Sequence, residues 1–281
     1  MIHMEIAFLE NQTVAEFFLL GFYDIPELHF LFFIVFTVVY TFIVIGNMLI
    51  IVVVIRSQRL HTPMYFFLAN LSFLEILYTS TVVLKMLEGF LQEAAISVTG
   101  CLTQFFIFGS LATAECFLLA IMAYYCFLAI CYPLRYLLLM GPRWCMGLVF
   151  TVWLSGFMVD GLVVVLMAQL RFCGNHRIDH FNCEFPAMIK LACVDIHTIE
   201  VQLFMASLVL LFLLLALILV SYGYIVQAVM RIKSAQAWHK ALRTCGSSLL
   251  VVSLIYGIIM AVYIHPNSSY AHSQGKFIML L

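Results

Sequence analysis

The stretch that decides the fold is Phe30–Ile55, FLFFIVFTVVYTFIVIGNMLIIVVVI, which contains no charged side chain. A helix needs about 20 mostly apolar residues to cross a bilayer, because the hydrocarbon core is about 30 Å thick. Backbone N–H and C=O groups find no water there, so a helix, which satisfies them internally, is favoured. The stretch therefore predicts a membrane-spanning helix.

The same pattern recurs along the chain. Of its 281 residues, 65% are apolar and 10% are charged, whereas soluble domains are about half apolar and a quarter charged. We predict an all-α membrane protein in which residues 29–281 form a single helical bundle domain. Six complete transmembrane helices are expected, and the apolar run 277–281 is only the start of a seventh. The complete spans are expected at about 30–55, 63–84, 101–130, 144–170, 201–230 and 244–264.

Residues 1–28 carry several acids and no basic segment ahead of a long apolar run, so they are not expected to be a cleaved signal peptide. Basic residues that flank spans mark cytoplasmic loops. With the N-terminus outside, the cytoplasmic loops hold eight basic residues and no acid: Arg56, Arg59, Arg135, Arg143, Arg231, Lys233, Lys240 and Arg243. We therefore predict an extracellular N-terminus, which places the sequon at Asn11 where it can be glycosylated.

This orientation also sorts the cysteines. Cys101, Cys173, Cys183 and Cys193 face the oxidising side of the membrane, where structural disulfides form. Four cysteines allow three pairings, and their spacing alone does not choose among them.

A set of short motifs occurs in order across nearly the whole chain. The motifs are Gly46-Asn47, LHTPMYFFL at 60–68, LSFLE at 71–75, MAY at 122–124, AICYPLRY at 129–136, Ser221-Tyr222, KALRTC at 240–245 and Tyr256-Gly257. Together they resemble the signature set of vertebrate olfactory receptors, which are rhodopsin-like, class A G-protein-coupled receptors.

The resemblance implies a rhodopsin-like bundle that ends, at Leu281, before its seventh helix. It implies a receptor of the plasma membrane that binds a small hydrophobic odorant outside and couples to a stimulatory G protein inside. Retention in the endoplasmic reticulum is the alternative location. The resemblance also implies two disulfide bonds, Cys101–Cys183 and Cys173–Cys193.

In the family, the motif MAY is followed by Asp-Arg-Tyr, and this chain departs from that pattern. Here Tyr125, Cys126 and Phe127 occupy those three positions in the region that meets the G protein. A thiol cannot replace the planar, permanently charged fork of an arginine. Together with the missing helix, this predicts impaired signalling, and a receptor-like relic that does not signal is the alternative function.

An odorant pocket should be apolar and lie between helices. Side chains at i, i+3, i+4 and i+7 share one face of helix three, which gives Phe105, Phe108, Gly109, Ala112 and Thr113. By similarity to the family, helix five adds Ala206, Ser207 and Leu210, and helix six adds Tyr256, Ile259 and Tyr263. Such stripes also arise from ordinary packing between helices. Because Phe108 stands where amine receptors of this class carry an acid, a charged amine is not the expected ligand.

Carboxylates inside a membrane are costly and are usually functional. Glu75 and Glu115 lie in the middle of spans, and the resemblance places them with Asn47 at a Na⁺ or proton site. Two neutral, hydrogen-bonded carboxyl groups are the alternative, and a proton or cation transporter that uses Glu75 and Glu115 is a rival function. Asp160, nearer the end of a span, is interpreted as a membrane-interface residue. No catalytic motif occurs, and neither an enzyme, a cofactor, a metal site nor a nucleic-acid partner is expected.

Overall fold

The computed structural model describes the following parts of the chain: residues 16–19, 29–91, 94–132, 141–170, 177–178, 182–183, 188, 191–192 and 197–230. Five helices in these parts are long and apolar enough to cross a membrane. They are α1 (His29–Arg56), α2 (Pro63–Leu91), α3 (Val98–Cys131), α4 (Pro142–Ala168) and α5 (His197–Met230). A 3-10 turn, Gln58–Leu60, lies between α1 and α2.

The first five predicted spans are therefore confirmed as helices, and the predicted spans 244–264 and 277–281 lie outside the described residues. The largest difference in length is in α2, which continues beyond Leu84 to Leu91. There the Lys85 ammonium contacts the Glu88 carboxylate at 2.8 Å, one turn further along the same helix. Opposite charges at this spacing lie side by side on a helix and stabilise it modestly, by about 0.2–0.5 kcal/mol.

The surface of the helices is apolar. On α1, Phe42 is 72% exposed, and leucine and isoleucine side chains around it are also uncovered. A soluble protein rarely exposes such continuous apolar surface. The exposed apolar residues of α1 and α4 include Phe30, Ile45, Leu49, Ile55, Phe150, Met158 and Leu162. This surface suits the hydrocarbon of a bilayer.

Three short strands form a small sheet that the all-α prediction missed. They are β1 (Glu16–Leu19), β2 (Ala94–Ser97) and β3 (Arg177–Ile178), in the order β2-β1-β3. The strand β1 runs antiparallel to β2, with Phe17 opposite Ile96, and parallel to β3, with Leu19 opposite Ile178. Strands of two to four residues carry too few side chains for an alternating pattern to be recognised.

The chain forms two compact units. The divisions fall within α3, α4 and α5, so one part of each of these helices belongs to each unit. Unit 1 comprises residues 1–115 and 150–207, and unit 2 comprises residues 116–149 and 208–281. In unit 1 one cluster of buried residues joins the sheet to the helices: Phe17, Leu19, Cys101, Met167, Ile178, Cys183 and Met188. In unit 2 the buried side chains include Leu118, Ile218 and Ile225.

Within unit 1, α1 packs along α2. The Tyr40 hydroxyl and the Ser80 hydroxyl share a hydrogen bond of 2.9 Å. Further along, the rings of Phe36 and Phe90 stack with their centroids 6.1 Å apart. Close packing and polar contacts of this kind hold helices together in lipid, where apolar burial supplies little force.

Candidate functional site

A disulfide bond joins the start of α3 to the loop that carries β3. The Cα atoms of Cys101 and Cys183 lie 5.4 Å apart, and both side chains are buried in the cluster beneath the sheet. This is the pairing implied by the family resemblance. The other implied pair, Cys173 and Cys193, and the predicted glycosylation site, Asn11, lie outside the described residues.

The predicted ligand-binding residues of α3 follow Cys101 along the helix, toward its C-terminal end. Phe105, Phe108, Gly109, Ala112 and Thr113 are all half-buried. The ring of Phe108 stacks on Tyr78 of α2, with centroids 5.0 Å apart and planes inclined by 28°. The α3 face is therefore neither sealed in the core nor fully exposed, and one of its aromatic rings is held by the neighbouring helix.

A buried carboxyl group from α4 reaches this face. Asp160 is only 9% exposed, and its Oδ2 accepts a hydrogen bond of 2.8 Å from the Thr113 hydroxyl. Asp160 therefore packs against α3, while its interpretation as a membrane-interface residue concerns its depth in the bilayer and stays a prediction. Helical spacing located Asp160 along α4, but it gave no information about which neighbouring helix the side chain would meet.

Two glycines allow α3 and α4 to lie close together. A Cβ atom on Gly156 of α4 would be 2.5 Å from the Ser110 carbonyl oxygen and 3.2 Å from the Ala114 side chain. A Cβ atom on Gly109 of α3 would collide with the Asp160 carboxyl group. Small residues at helix contacts commonly bring backbones together in membranes, and here they position the carboxyl group against α3.

The other predicted ligand-binding residues are less fully described. Leu210 lies half-buried on α5. Ala206 and Ser207 belong to α5, but their side chains lie outside the described set. Tyr256, Ile259 and Tyr263 also lie outside the described residues.

The three residues of the expected cation site lie on three helices of unit 1. Glu75 belongs to α2, Glu115 to α3 and Asn47 to α1. Asn47 of α1 donates its side-chain N–H to the Ile43 carbonyl oxygen at 3.1 Å, so its amide oxygen remains an acceptor. Oxygen ligands suit hard cations such as Na⁺, so the residue types fit the expectation. Within the described residues, no three His, Cys, Asp or Glu side chains form a group that could hold a metal ion.

In unit 2, the residues that replace Asp-Arg-Tyr form part of a packed region. Tyr125 and Cys126 are buried, and Cys126 is 6% exposed. The Phe127 ring lies 5.5 Å from the Tyr224 ring and 5.6 Å from the Tyr132 ring, measured between centroids. This part of α3 therefore presents aromatic carbon where the family carries a charged triplet.

An open groove of about 410 Å³ lies between α2 and α3, and no sequence pattern predicted it. Lys85, Glu88, Thr103 and Gln104 contribute polar atoms to its wall. The Gln104 side-chain N–H donates to the Thr81 carbonyl oxygen at 3.4 Å. Lys85 and Glu88 lie beyond the predicted span 63–84, Thr103 and Gln104 lie within the predicted span 101–130, and no motif marks any of the four.

The described helices and the disulfide-tied loop define a multi-pass helical membrane protein. The sequence profile described as "Olfactory receptor" matches residues 36–280. The chain is 62% identical to human olfactory receptor 11A1, over 99% of this chain and 88% of that protein. It is 45% identical to human olfactory receptor 2G3, over 96% of this chain and 88% of that protein.

Human olfactory receptor 2C3 is also 45% identical, over 99% of this chain and 86% of that protein. The chain belongs to the olfactory receptor family of G-protein-coupled receptors. At the level of the family, it is a membrane receptor and not an enzyme.

Proposed function

We propose that this chain is an odorant receptor of the plasma membrane, with its N-terminus outside, and that it binds small hydrophobic molecules beside α3. The observation that carries the proposal is the similarity to olfactory receptors over 99% of the chain. The half-buried face of Phe105, Phe108, Gly109, Ala112 and Thr113 supports it, because small apolar ligands bind in apolar clefts with a few polar groups.

Binding is tested separately from signalling. The chain, purified in lipid nanodiscs, is heated with and without a panel of small hydrophobic odorants. A ligand that binds only the folded protein raises the unfolding temperature as its concentration rises. We expect saturable stabilisation by at least one member, and Ala112→Trp should abolish it by filling the space beside α3. A panel with no stabilising member would contradict the proposal.

We propose that the partner inside the cell is a stimulatory G protein and that coupling is weak in this chain. Cys126 is a buried thiol where the family carries an arginine, and Phe127 packs against Tyr224 and Tyr132. An arginine presents several N–H donors in a fixed fork and keeps its charge, whereas a thiol is a weak donor. The interaction with a G protein that needs such a cation is therefore absent.

The signalling test compares the chain as given with the triple variant Tyr125→Asp, Cys126→Arg and Phe127→Tyr. Surface level is measured beside odorant-dependent cAMP for both. We expect a larger response from the triple variant and little from proteins that keep Cys126. The single variant Phe127→Tyr serves as the matched control. A robust response from the chain as given would contradict the proposed impairment.

We propose a monovalent cation site at Asn47, Glu75 and Glu115. The family resemblance and the oxygen-bearing side chains of all three residues support it, and a cation held between two carboxylates would offset their repulsion. Added NaCl, compared with choline chloride at equal ionic strength, should raise the unfolding temperature of the purified chain. Glu75→Gln or Glu115→Gln should remove the difference, and Glu88→Gln should keep it. An equal effect of the two salts would count against the site.

A further inference from the structure

Asp160 carries a carboxyl group that is buried among helices and only partly satisfied. It is 9% exposed, and in the part of the chain that the structure describes its one hydrogen-bond partner is Thr113. A carboxylate has two oxygens and about four acceptor positions. Burying such a group without further partners is unfavourable, so the position suits a molecule that supplies a donor.

Thr113 and Gly109 fix where this carboxyl group lies. The Thr113 hydroxyl holds Oδ2 at 2.8 Å, and the carboxyl group occupies the place that a side chain on Gly109 would fill. Both residues belong to the α3 face that we propose as the ligand site. The carboxyl group therefore lies at the edge of that face, although Asp160 itself belongs to α4.

We propose that Asp160 selects odorants that carry a hydroxyl group, by accepting a hydrogen bond from the ligand O–H, and that Thr113 positions it. The inference rests on the proposed odorant-binding function and assigns a ligand class to it. The remaining contacts of such a ligand are with carbon, since Phe105, Phe108 and Ala112 share the face.

The apolar surroundings of Asp160 favour a hydroxyl group over an ammonium group. A hydroxyl is uncharged and offers one donor, which Oδ1 of Asp160 can accept, whereas an ammonium carries a full charge. Bringing that charge out of water requires an excellent pairing geometry and further acceptors. An ether or a ketone has no donor for the carboxylate oxygen, so both should bind less tightly than the alcohol of the same carbon skeleton.

The test uses matched sets of probes on one skeleton, such as menthol, menthyl methyl ether, menthone and menthylamine, together with the corresponding octyl series. Dissociation constants are obtained from ligand-dependent stabilisation of the purified chain in nanodiscs. We expect the alcohol to bind about tenfold more tightly than its methyl ether, the effect of one hydrogen bond to a charged group. Asp160→Leu should reduce this ratio to about one.

Further variants separate selection from folding. Asp160→Asn keeps an acceptor oxygen and should retain part of the preference, while Gly109→Ala should lower it by displacing the carboxyl group. Thr113→Val should lower it a few-fold through loss of the positioning bond. Thr103→Val is the matched control, because among the described residues the Thr103 hydroxyl has one hydrogen-bond partner, the Thr99 carbonyl oxygen of the same helix, at 2.8 Å. An unchanged affinity for the ether in each variant shows that the pocket is intact.

The outcomes distinguish this inference from the proposed function. Equal binding of alcohol and ether by the unmodified chain, or an alcohol preference that survives Asp160→Leu, would overturn the role of Asp160 and leave odorant binding standing. Tighter binding of the amine than of the alcohol would overturn the assigned ligand class. If no probe of any class bound the unmodified chain, both the inference and the proposed function would fail.

Discussion

Gly156 of α4 lies so close to Ser110 of α3 that a Cβ atom on the glycine would be 2.5 Å from the serine carbonyl oxygen. Real Cβ atoms do not approach a backbone oxygen this closely, so any larger residue must push the helices apart. We predict that Gly156→Ala lowers the stability of the fold by about 1–3 kcal/mol, the usual cost of overpacking. The measurement is the temperature at which half of the solubilised protein loses its monodisperse state.

The matched control for this change is Gly161→Ala on the same helix. A Cβ atom there would meet Phe106 at 3.5 Å, which is ordinary van der Waals contact. We expect Gly161→Ala to be neutral or mildly stabilising, since alanine favours the helix. Equal effects of the two substitutions would show that the contact between α3 and α4 is looser than the structure indicates.

The N-terminal strand provides a second prediction. Phe17 of β1 is fully buried in the cluster beside the disulfide, whereas the neighbouring Phe18 points away and is 38% exposed. Truncating a buried phenylalanine typically costs about 3–5 kcal/mol. Phe17→Ala should therefore sharply reduce the amount of protein at the cell surface, measured by flow cytometry, and Phe18→Ala should reduce it little. A larger loss with Phe18→Ala would contradict the observed register of β1.

The disulfide between Cys101 and Cys183 provides a third prediction. Cys101→Ser should abolish surface expression, because the start of α3 would no longer be tied to the loop of β3; loss of a native disulfide costs about 2–5 kcal/mol in small secreted domains. Cys131→Ser is the control, since Cys131 is a free cysteine whose thiol has one described hydrogen bond, to the Tyr224 carbonyl oxygen at 3.7 Å. Peptide mapping should recover Cys101 joined to Cys183, and recovery of Cys101 joined to Cys173 would refute the pairing.

The orientation of the chain in the membrane provides the fourth prediction. The excess of basic residues in alternate loops predicts that the N-terminus lies outside. An epitope tag at residue 1 should bind antibody on intact cells, and a tag beside Lys233 should bind only after permeabilisation. Asn11→Gln should also remove a glycosidase-sensitive shift in mobility. The reverse pattern of accessibility would refute the orientation and the receptor function that depends on it.

The first five predicted spans correspond closely to helices, because the membrane imposes a local rule on each apolar segment. Phe30–Ile55 is apolar and long enough to span a bilayer, so it was predicted to be a helix. The helix α1, His29–Arg56, includes this whole segment. The α3 face of the candidate site could likewise be predicted from helical spacing, since Phe105 and Thr113 lie on one helix. The role of Asp160 could not be predicted in this way, because its partner lies 47 residues away in the chain.

The sequence by itself determined that this protein is a bundle of membrane helices of the olfactory receptor family. Helix length, apolarity and ordered motifs are properties of continuous segments, and each segment can be judged alone. Tertiary structure decided the short sheet of β1, β2 and β3, the contact of Gly156 with Ser110 and the position of Asp160 against Thr113. Each of these depends on which distant residues meet, and in a bundle that is set by the packing of whole helices.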